Sequence, residues 1–217
     1  MNCLLCDRRM AMQVSWRTMF CRDIGKVICA RCEQGFSRIT GPVCPVCGIS
    51  SANLCPECRM WERTKYAGLI SGGKSLFMYN EAMQRYLHQY KFLKDEALAA
   101  VFAPVLHDAL KGRFIVPVPM NEERERERTF PQVERMLDAA RLPYLQTLVK
   151  EGGIQGKKTR QERLASPLLF KWNGAEVPKR VTIADDLYTT GTTLRHAAKV
   201  LRQAGAEEIL VFTLIRG

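Results

Sequence analysis

Residues 181–194, VTIADDLYTTGTTL, decide how this chain is read. A short apolar run ends on two adjacent acids, Asp185 and Asp186. Thr189-Thr190-Gly191-Thr192-Thr193 follows, and an amphipathic helix opens at Leu194, with Ala197, Ala198, Leu201 and Ala204 on the same face and a stop at Gly205. Strand, acidic pair, small hydroxyl loop and helix N-terminus, in that order, make an anion site. The loop amides and the positive end of the helix dipole face outward, and the threonine hydroxyls add donors. Gly191 lets the backbone turn and approach an anion closely. The two acids sit at the carboxyl end of a strand, where open α/β sheets bind ligands. They suit a ribose diol, or Mg²⁺ held directly or through water.

Four apolar residues, two acids and TTGTT resemble the phosphoribosyl pyrophosphate (PRPP) motif of type I phosphoribosyltransferases. The resemblance implies an α/β fold: a mostly parallel sheet flanked by helices, with Asp185 and Asp186 on the ribose hydroxyls or Mg²⁺ and residues 189–193 on the 5′-phosphate.

Upstream of this stretch, residues 151–164, EGGIQGKKTRQERL, are rich in glycine and base. Residues 151–180 hold seven Lys/Arg against three Asp/Glu, whereas residues 181–217 are balanced at four and four. Such a composition suits a loop over a phosphorylated ligand, in which Lys157, Lys158, Arg160 and Arg163 neutralise diphosphate or nucleic-acid phosphate. Residues 144–149 read as a strand. Residues 114–120, FIVPVPM, read as a short buried strand at an edge or strand end. The charged NEERERERTF after it reads as a salt-bridged turn or helix, from which Arg124, Arg126 and Arg128 can reach a pyrophosphate. Thr129 and Pro131 then mark a new helix start, with Val133, Met136, Leu137 and Ala140 as its core stripe. Further back, Asn80 caps a helix with Met83, Tyr86, Leu87 and Tyr90 inward, and a second helix carries Leu98, Val101, Phe102, Val105 and Leu106, kinked at Pro104. Residues 208–215 close the sheet.

Residues 1–60 hold all nine cysteines. Eight form CxxC pairs: Cys3/Cys6, Cys29/Cys32, Cys44/Cys47 and Cys55/Cys58. Cys21 is left over. In a reducing compartment this spacing points to metal rather than disulfides, each pair placing two sulfurs on one side of a tight knuckle. Sequential pairing would give a compact Zn–S₄ site at Cys44/Cys47/Cys55/Cys58 and a second over the longer 3–32 loop, so one or two zinc ions are expected, each with no open coordination position and therefore a structural role. Residues 61–76 are expected as a linker or hood strand, and residues 77–217 as the ligand-binding domain. In the linker the spelling Gly68-x₄-Gly73-Lys74-Ser75 meets the Walker A pattern, but no buried strand precedes it and no helix follows directly, which argues against a P-loop.

The chain has 217 residues, 47% hydrophobic and 25% charged, with a formal charge of +11. Eight thiolates on two Zn²⁺ would reduce that to about +7. A basic balance favours phosphorylated or nucleic-acid partners. There is no run of apolar residues long enough for a membrane helix and no signal-peptide core, so a cytoplasmic location is expected.

Taken whole, the chain resembles the ComF family, the ComFC-like competence proteins. The resemblance is carried by the four-CxxC N-terminus, Phe77-Met78-Tyr79, Tyr90-Lys91-Phe92, VPVP at 116–119, a basic Gln-containing loop and DDxxTTGTT. It implies a double zinc ribbon joined to a phosphoribosyltransferase-type domain, and a part in natural transformation beside a helicase-like, ComFA-type ATPase. It also implies PRPP with Mg²⁺ as ligand, and the basic loop with Phe92 or Trp172 nearby would allow single-stranded DNA contact through backbone and stacking. Family members read Arg-Gly-Phe-Asn-Gln after VPVP, where this chain has Arg128-Thr129-Phe130-Pro131-Gln132. That departure separates PRPP binding from turnover. The alternative to an accessory binding role in DNA uptake is an active phosphoribosyltransferase acting on a nucleobase-like or other acceptor.

Overall fold

The computed structural model describes residues 1–10, 25–150 and 168–217, with the side chains of 122–124 left aside. Cys21, Lys157, Lys158, Arg160, Arg163 and the Arg124 side chain lie outside the described residues. At the centre is a four-stranded, all-parallel sheet. Its strands are β1 (Gly72–Met78), β2 (Ile115–Pro117), β5 (Arg180–Tyr188) and β6 (Glu208–Arg216), in the spatial order β1-β6-β5-β2. β5 and β6 occupy the middle, and their runs Val181–Ala184 and Val211–Ile215 are buried, as parallel strands covered on both faces require. A separate antiparallel pair joins β3 (Leu148–Lys150) to β4 (Phe170–Trp172). The strand expected over 144–149 is thus shorter, shifted toward its C-terminus and outside the main sheet.

The helices of the α/β part follow the apolar stripes. α3 (Glu81–Lys91) is capped by Asn80, whose side chain accepts from the Met83 amide at 2.9 Å, and it buries Met83, Tyr86, Leu87 and Tyr90. The expected second helix is a 3₁₀ segment, Glu96–Phe102, followed by α4 (Ala103–Leu110). Pro104 stands in the first turn of α4, so it starts a helix there rather than kinking one. The EERERER run forms α5 (Glu122–Arg128), and α6 (Gln132–Ala139) follows a break at Thr129–Pro131. α7 (Thr192–Gln203) ends in a Schellman turn: Ala206 N–H donates to Leu201 O at 2.9 Å, and Gly205 takes φ +108°.

Two short helices belong to the cysteine-rich part, α1 (Ala30–Gln34) and α2 (Pro56–Trp61). This part lies against the outer edge of β1. Gly73 N–H donates to Pro45 O at 2.8 Å, Ile39 N–H to Leu76 O at 2.9 Å and Met78 N–H to Ser37 O at 2.8 Å. A Cβ on Gly73 would stand 2.1 Å from Val46 O, so glycine is required for the approach. Lys74 and Ser75 lie inside β1, paired with Phe212 and Thr213 of β6. The GKS end of the Walker-like spelling is therefore strand with no helix N-terminus behind it, and the last five residues of the 61–76 stretch belong to the central sheet.

Candidate functional site

The cysteines gather into two clusters, Cys3/Cys6/Cys29/Cys32 and Cys44/Cys47/Cys55/Cys58, each with all sulfurs within 4.8 Å of one another. Both are built the same way. The first pair of each sits on a tight turn closed by a backbone bond, Asp7 N–H to Cys3 O and Gly48 N–H to Cys44 O, both 2.9 Å, with φ +55° at Asp7 and +72° at Gly48. The second pair opens a short helix, with Cys29 at the N-cap of α1 and Cys55 at that of α2. Amides point at sulfur: Cys29 N–H lies 3.3 Å from Cys3 Sγ, and Cys58 N–H 3.4 Å from Cys55 Sγ. A tetrahedron with metal–sulfur bonds of about 2.3 Å has sulfur–sulfur edges of about 3.8 Å. Cys6 and Cys29 Sγ stand 3.8 Å apart, and Cys47 and Cys55 Sγ 3.6 Å. The donor set and its spacing fit zinc, and the pairing is the sequential one.

At the carboxyl ends of the parallel strands, β5 carries Asp185 and Asp186 within its own run, half-buried. Burial pushes the Asp185 carboxyl up to about 7, the neighbouring Asp186 adds to this, and Lys91 opposes it. Asp186 makes an ion pair with Lys91 from the end of α3, with only 12% and 11% of the two side chains exposed. Beyond the acids, Gly191 adopts φ +71° and forms the N-cap of α7. The Thr190 and Thr192 hydroxyls lie 3.0 Å apart across the turn.

Two hollows share these residues. The smaller, about 70 Å³, is lined by Leu169, Asp185 and the loop of residues 187–194. The larger, about 190 Å³, places Asp185, Asp186, Thr189 and Thr193 opposite Lys91, Arg128, Lys150 and Gln132. Gln132 is 2% exposed, and its Oε1 accepts from the Arg128 guanidinium at 2.6 Å. Its Nε2 is buried with no hydrogen-bond partner among the described residues, a donor held at the wall of the hollow. Of the arginines expected from NEERERERTF, Arg128 lines this hollow and Arg126 does not.

Thr129 stands where the resembled family reads glycine, and it takes φ +69°, a conformation a β-branched residue adopts only under strain. Lys91 and Lys150 were not expected as site residues. Lys91 lay in the Tyr90-Lys91-Phe92 signature without an assigned role, and nothing in the sequence around Lys150 marks it.

Over 224 residues the chain is 34% identical to competence protein ComFC of Streptococcus pneumoniae (strain ATCC BAA-255 / R6), covering 100% of both chains. It is 34% identical over 229 residues to competence protein ComFC of Bacillus subtilis (strain 168), covering 99% of this chain and 94% of that one. The chain belongs to the ComFC family of competence proteins. A more distant relative is competence protein F of Haemophilus influenzae (strain ATCC 51907 / DSM 11121 / KW20 / Rd), 28% identical over 213 residues, covering 87% of this chain and 90% of that one. No family model matches the chain. Among solved structures, a hypoxanthine phosphoribosyltransferase from Staphylococcus aureus aligns with TM-score 0.36 and 14% identity, over 58% of this chain and 65% of that one. This ComFC-family chain thus combines two zinc-binding four-cysteine clusters with a parallel α/β sheet. Among its described residues no helix is long and apolar enough to cross a membrane.

Proposed function

We propose that this ComFC-family protein binds PRPP, or a related sugar phosphate, at the carboxyl ends of β5 and β2, and that it does so in the service of DNA uptake during competence. The observation that carries the reading is the pair of adjoining hollows sharing Asp185, Leu187, Thr189 and Thr193. One side is a hydroxyl-lined cradle, the other a cleft with three cations and an amide donor unpartnered among the described residues, and acids lie between them. That order matches a phosphate, a ribose diol and a pyrophosphate in sequence. In this reading residues 189–193 hold the 5′-phosphate, Asp185 and Asp186 the ribose hydroxyls with Mg²⁺, and Lys91, Arg128, Lys150 and Gln132 Nε2 the pyrophosphate. Mg²⁺ supplies charge neutralisation of the diphosphate when bound.

Titration calorimetry with Mg-PRPP on the zinc-loaded full chain tests the site. Asp185→Asn combined with Asp186→Asn is expected to abolish binding, and unchanged affinity would remove these acids from the site. Lys91→Ala is expected to weaken Mg-PRPP far more than ribose 5-phosphate, which lacks the pyrophosphate. A second reading, phosphoribosyl transfer, draws on the same cations, which would stabilise pyrophosphate as it departs. Pyrophosphate release from Mg-PRPP across a panel of nucleobases separates it from binding alone. The cytoplasmic face of the uptake machinery, with a helicase-like ATPase as partner and single-stranded DNA on the basic surface, is the setting we infer. DNA affinity that does not fall between low and moderate salt would count against phosphate contacts.

A further inference from the structure

The second cysteine cluster does more than hold its own knuckles together. α2 hands three consecutive layers of contact to the loop after β5. Trp61, fully buried, donates its Nε1–H to Thr190 O at 2.9 Å. Arg195, 2% exposed, lies with its guanidinium 4.4 Å from the centre of the Trp61 ring. From there Arg195 donates to the Tyr188 hydroxyl at 2.7 Å and to Gly191 O at 3.3 Å, and its other terminal nitrogen stands 3.8 Å from Cys58 Sγ. Glu57, between the two cysteines of the CPEC turn, pairs at 2.6 Å with Arg216. Arg216 in turn donates to Thr189 O at 3.0 Å and Tyr188 O at 3.2 Å, and stacks 4.4 Å above the Tyr188 ring. The carbonyls of residues 188–191 are therefore tied from behind, Thr190 O by Trp61 of α2 itself and the others by Arg195 and Arg216, the two cations that the cysteine cluster and its Glu57 contact.

Charge argues in the same direction. A buried guanidinium needs a counter-charge. Among the described residues no carboxylate pairs with Arg195, and Cys58 Sγ is the anionic-capable atom at its tip. A Zn²⁺ ion held by four thiolates carries a net charge of −2, which attracts Arg195 and also Arg216, the latter shared with Glu57.

We propose that metal binding at Cys44/Cys47/Cys55/Cys58 sets the conformation of the Thr189–Thr193 loop through Trp61, Arg195 and Arg216, so that zinc affinity at this site and phosphate affinity at the loop are thermodynamically linked. The ligand class is a phosphate monoester, and this part of the proposal rests on the sugar-phosphate reading above. Trp61 and Arg195 are positioning residues: they touch the loop from the interior and meet no ligand. Linkage is reciprocal, so ribose 5-phosphate at the loop must raise zinc affinity by the factor by which zinc raises phosphate affinity.

The test uses the zinc-loaded full chain, ribose 5-phosphate as probe, and the variants Trp61→Phe and Arg195→Lys, which keep all eight cysteines. Zinc content, hydrogen exchange of the peptide covering 188–194 with α3 as internal control, and calorimetric affinity are measured on each. Both variants are expected to retain zinc at both clusters, to speed exchange of 188–194 by about tenfold and to weaken ribose 5-phosphate by about tenfold, the loss of one hydrogen bond to a loop carbonyl. In equilibrium competition against a chromogenic chelator, saturating ribose 5-phosphate should raise the affinity of one zinc of the wild type, and should do so less in Arg195→Lys. Wild-type exchange and affinity in both variants would overturn the proposal, as would zinc affinity indifferent to the sugar phosphate when that ligand binds. If the wild type binds neither ribose 5-phosphate nor Mg-PRPP while chelation of zinc and both variants still expose 188–194, the ligand reading falls and the structural coupling stands.

Discussion

Replacing Gly191 by alanine tests the loop at its tightest point. The residue adopts φ +71°, and an added Cβ would stand 2.2 Å from the Tyr188 hydroxyl and 2.4 Å from Arg195 Nη1. Two costs add. Left-handed backbone costs a non-glycine residue about 1–2 kcal/mol. Forcing a methyl group against packed atoms adds about 1–3 kcal/mol, because neither neighbour can retreat: the hydroxyl and the guanidinium are bonded to each other and are both buried. Restricting the unfolded chain returns up to about 1 kcal/mol. The expected net loss is therefore about 3 kcal/mol, or roughly 10 °C in melting temperature for a chain of this size. Gly68→Ala is the matched control. Gly68 has φ +63° with nothing within 4 Å of its added Cβ, so it carries the backbone cost without the overlap. Thermal unfolding by circular dichroism on both zinc-loaded variants, followed by ribose 5-phosphate titration, reads the difference. Equal shifts for Gly191→Ala and Gly68→Ala, with sugar-phosphate affinity retained in both, would refute the claim that Tyr188 and Arg195 clamp this turn.

Other outcomes follow from the same geometry. His196 is buried with Nε2 2.9 Å from the Tyr66 hydroxyl and Nδ1 accepting from Leu169 N–H at 3.3 Å, a neutral ring whose pKa burial lowers to about 4, with Lys65 and Lys199 adding to the effect. The unfolded chain binds a proton at this residue first, so its contribution is complete above about pH 6.5 and is lost as pH falls toward 4, amounting to at most about 3 kcal/mol. Urea unfolding between pH 7.5 and 5, with zinc content monitored, should give a shallower pH slope for His196→Asn, and an unchanged slope would place the effect elsewhere. Lys91→Ala and Asp186→Ala should each cost about 3 kcal/mol by leaving the partner charge uncompensated, while the double variant costs clearly less than their sum, and additive losses in that cycle would count against the pair. Thr129→Gly should stabilise the chain by about 0.5–1 kcal/mol through relief of the left-handed threonine, whereas destabilisation would mean that the Thr129 hydroxyl bond to Arg128 O, 2.6 Å long, outweighs the strain.

Much of this was legible in the residues. The double acid and TTGTT located the end of β5 and the turn into α7, because small hydroxyl residues behind an acidic pair have little other use. The CxxC spacing pointed to the metal clusters, since two sulfurs on one tight turn need a second such pair nearby, but which pairs combine came from the structure. Long-range partners were the illegible part. Lys91 and Asp186 are separated by 95 positions yet form an ion pair, and no local pattern distinguishes this lysine from a solvated one. Arg195 reads as an ordinary polar face of an amphipathic helix, and only the packing of α2 behind it shows that face to be interior. Phe114–Met120 looked like a longer strand than Ile115–Pro117 because apolar residues there serve the rim of the cleft as well as the sheet, Val118, Pro119 and Met120 lining the larger hollow.

The seating of the cysteine-rich part along β1 also bears on how the chain is made. Among the described residues β1 pairs inward with β6, whose partner residues lie about 138 positions further along the chain, so during synthesis β1 must wait for that long stretch to emerge. A waiting strand with the sequence SLFM is a template for neighbouring nascent chains. Residues 37–39 and 45–47 precede it from the ribosome and already occupy one of its edges, provided metal has folded them. Zinc thereby acts as a guard against misassembly as well as a brace, and cells starved of it during expression are expected to yield this protein in the insoluble fraction rather than as a soluble metal-free form.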